Sequence, residues 1–291
     1  MTAPTAPTFD LQSHSTASDG ALAPGEVVRR AHAAGVELLA LTDHDTVDGI
    51  PEALNAAADL DGIALVPAAE ISALDGERED LHICGYLLDH HDRDLLESLE
   101  LWRADRRDRA HRMAEALREN GWALELPDSL KGDKPVGRPH LAQAVLDHPD
   151  NAARLRAEGL TNHAQILEAY LIPGTPGYRR RSVPTVREAI RVIHDAGGLA
   201  VWAHPFWDLD DPADVIETLT RFKALGLDGV EAFYVTHTPE QTQIAFDAAG
   251  RLGLLTTGSA DFHGPGHPNF SAFRAFELNG LAPNLGPIAH P

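Results

Sequence analysis

Cysteine is nearly absent from this chain. Cys84 stands alone among 291 residues, so no internal disulfide and no thiolate metal cluster can form, and nothing asks for an oxidising compartment. Any metal must be held by imidazole and carboxylate. Aromatic residues are also scarce, 6% against 43% hydrophobic residues in all, which suits an aliphatic core of α/β type in one or two domains. No stretch approaches the roughly 18 apolar residues of a membrane span. The start, residues 1–7, lacks the basic and apolar regions of a secretory signal. The expectation is a soluble, cytoplasmic protein with no membrane partner. Basic residues are outnumbered, 24 Lys and Arg against 44 Asp and Glu, for a formal net charge of −20. Duplex DNA is therefore a poor partner, because its binding needs lysine and arginine to displace counterions from phosphates. A small anion remains compatible, since bound divalent cations can reverse the local sign of a site. Nothing in the sequence specifies an oligomeric state.

What is present reads as strand and helix in alternation. A helix is expected over 24–35, opened by Pro24 and stopped by Gly35, followed by a strand over 36–41. Next come a helix over 51–60 and strands over 63–66 and 81–86. The pattern then changes to one long charged helix over 94–120, followed by Pro/Gly-punctuated segments and shorter helices to 178. Alternation returns with helices over 185–196, 212–225 and 239–252 and strands over 199–203, 229–234 and 254–257. The division expected is 1–93 and 183–291 as two parts of one α/β body, with 94–182 as a helical insertion. There is no internal repeat, and only the first eight residues are low in complexity.

Five segments end apolar runs with metal-capable side chains: Phe9-Asp10-Leu11-Gln12-Ser13-His14, Leu41-Thr42-Asp43-His44-Asp45, Ala69-Glu70, Ala203-His204-Pro205 and Ser259-Ala260-Asp261-Phe262-His263. In α/β proteins ligands gather where parallel strands end at their carboxyl edge, so five such ends point to one shared site. Positions 12 and 14, and 261 and 263, are separated by one residue, and in extended chain each pair faces one side. The chemistry suggested is that of a multinuclear metal hydrolase.

These five motifs, with Ser15-Thr16-Ala17-Ser18-Asp19-Gly20 continuing the first, resemble the polymerase and histidinol phosphatase (PHP) family over nearly the whole chain. More narrowly they are similar to its nucleotide phosphoesterase branch, in which a helical domain interrupts the barrel. The resemblance implies a distorted seven-stranded β/α barrel with two to three divalent ions, Mn, Fe or Zn, at its C-terminal mouth. It implies one ion held by Gln12, His14, Glu70 and Asp261, a second by Glu70, His82 and His204, and a third by Asp19, His44 and His263. Glu70 would bridge two ions. Three carboxylates against three divalent cations leave a surplus of about +3 that would draw in a phosphate. Gln12 departs from the pattern, since relatives carry His there.

The resemblance also implies substrate contacts. Gly137-Arg138-Pro139-His140 stands at an expected helix start, where backbone N–H groups favour anions, and Arg138 and His140 match an Arg-x-His that contacts the nucleotide phosphate. Thr175 stands where lysine is common in relatives, and Arg179, first of three consecutive arginines, is a candidate replacement. His237, after the strand over 229–234, matches a substrate-side histidine able to contact phosphate or protonate a leaving oxygen. Glu70, Asp261 and His237 are thus the catalytic candidates. The activity implied is metal-dependent hydrolysis of phosphate esters in nucleotides, either 3′,5′-nucleoside bisphosphates or short 5′-phosphorylated oligonucleotides. Histidinol phosphate is the alternative substrate, and Gln12 leaves open a non-catalytic metal-binding or regulatory protein. Asp43 and Asp45 read as turn or capping residues, or as supports for ligands. His82 reads as a ligand or a core imidazole. Nine histidines, at 32, 90, 91, 111, 148, 163, 194, 267 and 290, are surface or capping residues without assigned chemistry.

Overall fold

A computed structural model describes residues 7–125 and 137–291. Residues 1–6 of the low-complexity start and residues 126–136 of the Pro/Gly-punctuated stretch lie outside them. Two compact units are present, one formed by 1–100 with 184–291 and the other by 101–183.

The first unit is built on a seven-stranded sheet whose spatial order follows the chain. β1 (Phe9–Asp10), β2 (Leu38–Leu41) and β3 (Ala64–Asp75) are parallel, as are β5 (Leu199–Trp202), β6 (Gly229–Tyr234) and β7 (Leu255–Ser259). Between these sets β3 pairs antiparallel with β4 (Arg78–Tyr86), and β4 pairs antiparallel with β5. The sheet curls until its ends meet. Leu11 N donates to Gly258 O at 3.1 Å, and Ser13 bridges Phe262 in parallel sense. The distorted seven-stranded barrel implied by the resemblance is therefore present.

Helices α1 (Pro24–Ala33), α2 (Ile50–Ala58), α7 (Val186–Asp195), α9 (Pro212–Ala224) and α10 (Pro239–Leu252) connect the strands of this unit. Their ends follow local chemistry. Thr185 and Glu188 form a reciprocal cap at the start of α7, as Thr238 and Gln241 do for α10. The apolar sides of the strands make the core, with Leu11, Leu39, Ile71, Ile83, Trp202 and Phe233 all fully buried.

One expectation changes. The apolar run over 63–66 does not stop at Pro67. Leu41↔Pro67 is the last pair between β2 and β3, so the missing amide falls where that ladder ends. β3 continues alongside β4 and turns at Gly76, whose φ is +60°. Glu70 therefore stands inside a strand, and His82 inside an antiparallel partner.

α3 (Arg93–Glu119) begins in the first unit and continues into the second, which also holds α4 (Arg138–Asp147), α5 (Ala152–Glu158) and α6 (His163–Tyr170). The core of this unit gathers Met113, Leu117, Trp122, Leu141, Val145 and Ile166. The Arg154 guanidinium lies 4.0 Å from the centre of the Trp122 ring. Among the described residues no helix is long and apolar enough to cross a membrane.

The β6–β7 pair has no room for a side chain at Gly258. A Cβ there would lie 2.6 Å from both the Cβ and the carbonyl oxygen of Phe233, and 2.9 Å from Phe276. Gly258→Ala should cost roughly 1–3 kcal/mol, the usual range for overpacking, read as a lower midpoint in urea unfolding. An unchanged midpoint would show that β6 and β7 yield at no cost.

Candidate metal centre

Glu70 is wholly buried, and its two oxygens face different pairs of imidazoles. Oε1 lies 2.7 Å from His82 Nδ1 and 3.1 Å from His204 Nε2. Oε2 lies 3.1 Å from His14 Nε2 and 3.5 Å from His44 Nδ1. Strand parity explains part of this. Glu70 pairs with Cys84 and Ser72 with His82, and directly paired residues share a face, so Glu70 and His82 project together. His44 bridges Glu70 from the end of β2, while Asp45 N donates to Glu70 O at 2.8 Å.

Gln12 and His14 lie beyond β1 in a segment inserted between β2 and β7. Thr42 N donates to Ser13 O at 2.8 Å on one side, and His14 N to Phe262 O at 2.8 Å on the other. His14 Nε2 thereby reaches Asp261 Oδ1 at 3.1 Å. Asp19 returns to the same place through a tight loop. Gly20 N donates to Ser15 O, and a Cβ on Gly20 would lie 2.2 Å from His14 O, so only glycine closes the turn. Asp43 clasps this loop by accepting from Ser15 N, Ser15 Oγ and Ser18 Oγ at 2.6–2.7 Å. Asp19 then stands 3.6 Å from each of His14, His44 and His263. Asp45 accepts from Ser72 N at 2.9 Å. Both aspartates therefore hold backbone around the ligand candidates.

His204 sits just past β5 with φ +29° and ψ 57°, a left-handed conformation that costs a non-glycine residue energy. Glu231 holds it there. Its Oε2 accepts from His204 N at 2.9 Å, and its Oε1 accepts from Ser259 Oγ at 2.5 Å. Burial pushes the Glu231 carboxyl up to about 8, against the hydrogen bonds it receives. Tyr234 on the same strand donates to Asp261 Oδ2 at 2.8 Å, leaving Oδ1 toward His14. Asp10, also fully buried, accepts from Ala260 N at 2.9 Å and Arg274 N at 2.8 Å, and burial raises its carboxyl to about 7. Sequence reading gave Asp10, Glu231 and Tyr234 no role. A lone glutamate in the otherwise uncharged strand Gly-Val-Glu-Ala-Phe-Tyr was the available signal.

Three overlapping donor groups emerge: His14, Asp19, His44 and His263; His44, Glu70 and His82; and His14, Glu70 and Asp261. His204 joins the second, its Nε2 3.2 Å from His82 Nδ1. Of the ligand candidates, Gln12 is in none of these groups, but its backbone carbonyl accepts from Phe262 N, between Asp261 and His263, at 3.3 Å, and its side-chain amide is the clearest test of fit. It is 1% exposed, and neither Oε1 nor Nε2 has a hydrogen-bond partner. Such an amide costs roughly 1–3 kcal/mol, which a cation at the carbonyl oxygen would offset. Asp261 Oδ1, Glu70 Oε2 and both nitrogens of His14 form no well-aligned hydrogen bond either, although His14 Nε2 stands 3.1 Å from each of the two oxygens. Buried polar atoms ordinarily have partners, so this concentration fits a cation site.

Burial would raise the Glu70 carboxyl, but the surrounding imidazoles outweigh it and hold it well below its ordinary value. Burial lowers His44 to about 4, against the pull of Glu70 and Asp19, and leaves its ring neutral and able to donate a lone pair. At His204 burial is outweighed by Glu70, and the imidazole rises to about 10. Cation uptake there must displace a proton.

The cluster opens into a cavity of about 220 Å³, whose lining adds Trp207, Tyr234 and Phe270 to six of these side chains. His237 lies nearby in sequence, between β6 and the cap of α10, with Nδ1 3.1 Å from Ala232 O. Arg138, His140 and Arg179 belong to the second unit. His140 Nδ1 accepts from Gly137 N at 3.1 Å and so caps α4. Arg179 donates to the carbonyls of Pro176 and Tyr178 in its own turn. Among the nine unassigned histidines, His32 meets Asp61 O, His194 meets Asp228, and His267 accepts from Phe270 N.

The model of the PHP domain matches residues 10–96 of this chain. A 3′,5′-nucleoside bisphosphate phosphatase from Chromobacterium violaceum is 35% identical over 262 residues, covering 89% of this chain and 88% of its own. The chain belongs to the PHP domain family. A 5′-3′ exoribonuclease from Haemophilus influenzae is 34% identical, covering 88% of this chain and 90% of its own. Among solved structures, an amidohydrolase from Chromobacterium violaceum with sulfate bound and no metal superposes with a TM-score of 0.75 at 32% identity, covering 92% of this chain and 91% of that one. The PHP barrel and the metal-dependent phosphoesterase class read from the motifs are thus in place.

Gln12 offers a test of this PHP centre that does not depend on turnover. A neutral amide oxygen is a weaker donor than imidazole toward Mn²⁺, Fe²⁺ or Zn²⁺. Gln12→His should therefore tighten the weakest Mn²⁺ site seen by calorimetric titration, roughly tenfold or more, the cost commonly seen when ligand support is lost. Superimposable titrations would remove residue 12 from the ligand set.

Proposed function

We propose that this chain hydrolyses phosphate monoesters or diesters of nucleotides, with 3′,5′-nucleoside bisphosphates or short 5′-phosphorylated oligonucleotides as the preferred class. The observation that carries this reading is the Glu70 carboxylate, buried between four imidazoles at one end of the barrel, in a chain alike over most of its length to a bisphosphate phosphatase and an exoribonuclease.

Two to three divalent ions, Mn, Fe or Zn, fit the donors present. Gln12, His14, Glu70 and Asp261 would hold one, Glu70, His82 and His204 a second, and Asp19, His44 and His263 a third. When bound they supply Lewis acidity toward phosphate oxygens and lower the pKa of a water molecule. The protein side chains do the rest. Glu70, held in β3 by backbone bonds to Asp43 and Asp45, and Asp261, held by the Tyr234 hydroxyl, would fix the spacing of the donors. His237 is lowered to about 4 by burial, against its bond to Ala232 O, so it is neutral at pH 7. Its Nδ1–H is committed to that carbonyl, leaving Nε2 as an acceptor. In this state His237 can accept a hydrogen bond but not give another, and its Nε2 is buried without a partner among the described residues, so a substrate would have to uncover that atom to use it. Arg138 and His140 at the start of α4, and Arg179, would each contact a substrate phosphate. At α4 the helix N-terminus and a guanidinium both favour an anion.

Phosphate release with added Mn²⁺ tests the reading on three esters: adenosine 3′,5′-bisphosphate, a 5′-phosphorylated trinucleotide and histidinol phosphate. The first two should be hydrolysed faster than the third, and chelation should abolish all release. Preference for histidinol phosphate, or no release at all, would overturn the proposal. Arg138→Ala separates binding from chemistry. It should cost nucleotide substrates roughly 1.5–3 kcal/mol in kcat/KM, the range for a charge-assisted bond, with metal content unchanged. A smaller loss is expected on p-nitrophenyl phosphate. Equal losses on both would assign Arg138 to the fold or the reacting centre.

A further inference from the structure

Three of the four tryptophans, Trp102, Trp122 and Trp202, are buried to 4% exposure or less. Trp207 is 57% exposed. In a chain with so few aromatic residues, an indole left in solvent beside a cluster of imidazoles and carboxylates calls for an explanation. Leu96, Leu101 and Ile172 are the other large exposed hydrophobic residues among those described, and none of them lines the cavity over the donor cluster.

The position of Trp207 is fixed from below. It lies in the short helix α8 (Pro205–Asp208), which starts directly after His204, and Trp207 N donates to His204 O at 2.8 Å. Its ring meets Phe270, with centroids 5.9 Å apart and planes at 58°. Phe270 is itself anchored. It is 8% exposed, lies parallel to His267 at 4.8 Å and 17°, and packs 5.5 Å from His263. Trp207 is therefore a large aromatic surface, backed by a second ring, in the wall of the cavity that Glu70 and Asp261 also line. Pockets that combine convergent polar groups with aromatic walls are the usual form of a small-ligand site, and a flat π-face accepts any nucleobase.

We propose that Trp207, backed by Phe270, is a specificity-determining residue that stacks the base of the nucleotide while the phosphate enters the donor cluster. This rests on the phosphoesterase reading above and deepens it, since it gives a reason why a nucleotide is preferred over a bare phosphate ester. Because α8 follows His204 without a linker, base stacking and ligand placement are coupled through three residues of backbone.

Two measurements on the Mn²⁺-loaded full chain test this. The first is tryptophan fluorescence during titration with adenosine 5′-monophosphate, with ribose 5-phosphate as the base-free control. Trp207 is the solvent-exposed emitter, so the nucleotide should quench it saturably and the sugar phosphate should not. Trp207→Phe should remove the quench. The second is the ratio of kcat/KM for adenosine 3′,5′-bisphosphate to that for its abasic tetrahydrofuran analogue. Trp207→Ala should lower the ratio roughly tenfold to a hundredfold, the range that base–aromatic stacking supplies. Trp207→Phe, which keeps a ring, should largely retain it. A quench that is absent in the wild type, a quench that persists in Trp207→Phe, or a ratio unchanged in Trp207→Ala would overturn the proposal. If the wild type releases no phosphate from any ester, the phosphoesterase reading fails by itself. The quench still decides whether the base stacks on Trp207.

Discussion

Everything in the first unit is arranged around one electrostatic constraint: the Glu70 carboxylate is removed from water and must stay ionised. A buried carboxylate without compensation takes up a proton, because burial disfavours its charged form. Glu70 avoids this through four imidazoles on two sides, and that arrangement dictates where β2, β4, β5 and the segment after β1 must lie. The antiparallel β3–β4 hairpin is the device that makes it possible. A purely parallel barrel would place the partners of Glu70 only at strand ends. The hairpin carries His82 alongside it in mid-strand. The same constraint explains why other buried acids differ from Glu70. Asp10 and Glu231 meet backbone amides and hydroxyls, their carboxyls rise to about 7 and about 8, and they serve as clamps.

Much of this was legible in the residue order. The limits of the first helix followed from Pro24 and Gly35, because start and stop signals act within a few residues. The ligand candidates were legible because each of five motifs carries metal-capable side chains in a short stretch. What was not legible depended on contacts between distant segments. Pro67 looks like the end of a strand unless one knows that β2 ends beside it. Asp43 looks like a turn former, and only folding shows that it grips Ser15 and Ser18, 28 and 25 residues earlier. The bond of Glu231 to His204 joins two strands, and no local pattern announces it.

The acidic surface and the expected substrate are reconciled by the same centre. With a net charge of −20 the chain as a whole repels anions. An anionic substrate must be attracted by charge concentrated at one mouth, which divalent ions held by few carboxylates would provide. The donor set is rich in neutral imidazole, and that leaves the cation charge largely uncancelled.

The central claim is that Glu70 bridges two cations. Anomalous diffraction from crystals of the Mn²⁺-loaded protein, recorded on both sides of the manganese absorption edge, tests it directly. The account predicts two peaks flanking Glu70, one within coordination distance of Oε1, His82 and His204, and the other within coordination distance of Oε2, His14 and Asp261. Manganese bound with neither peak in contact with Glu70, or a single peak on one side of it at full occupancy, would contradict the account.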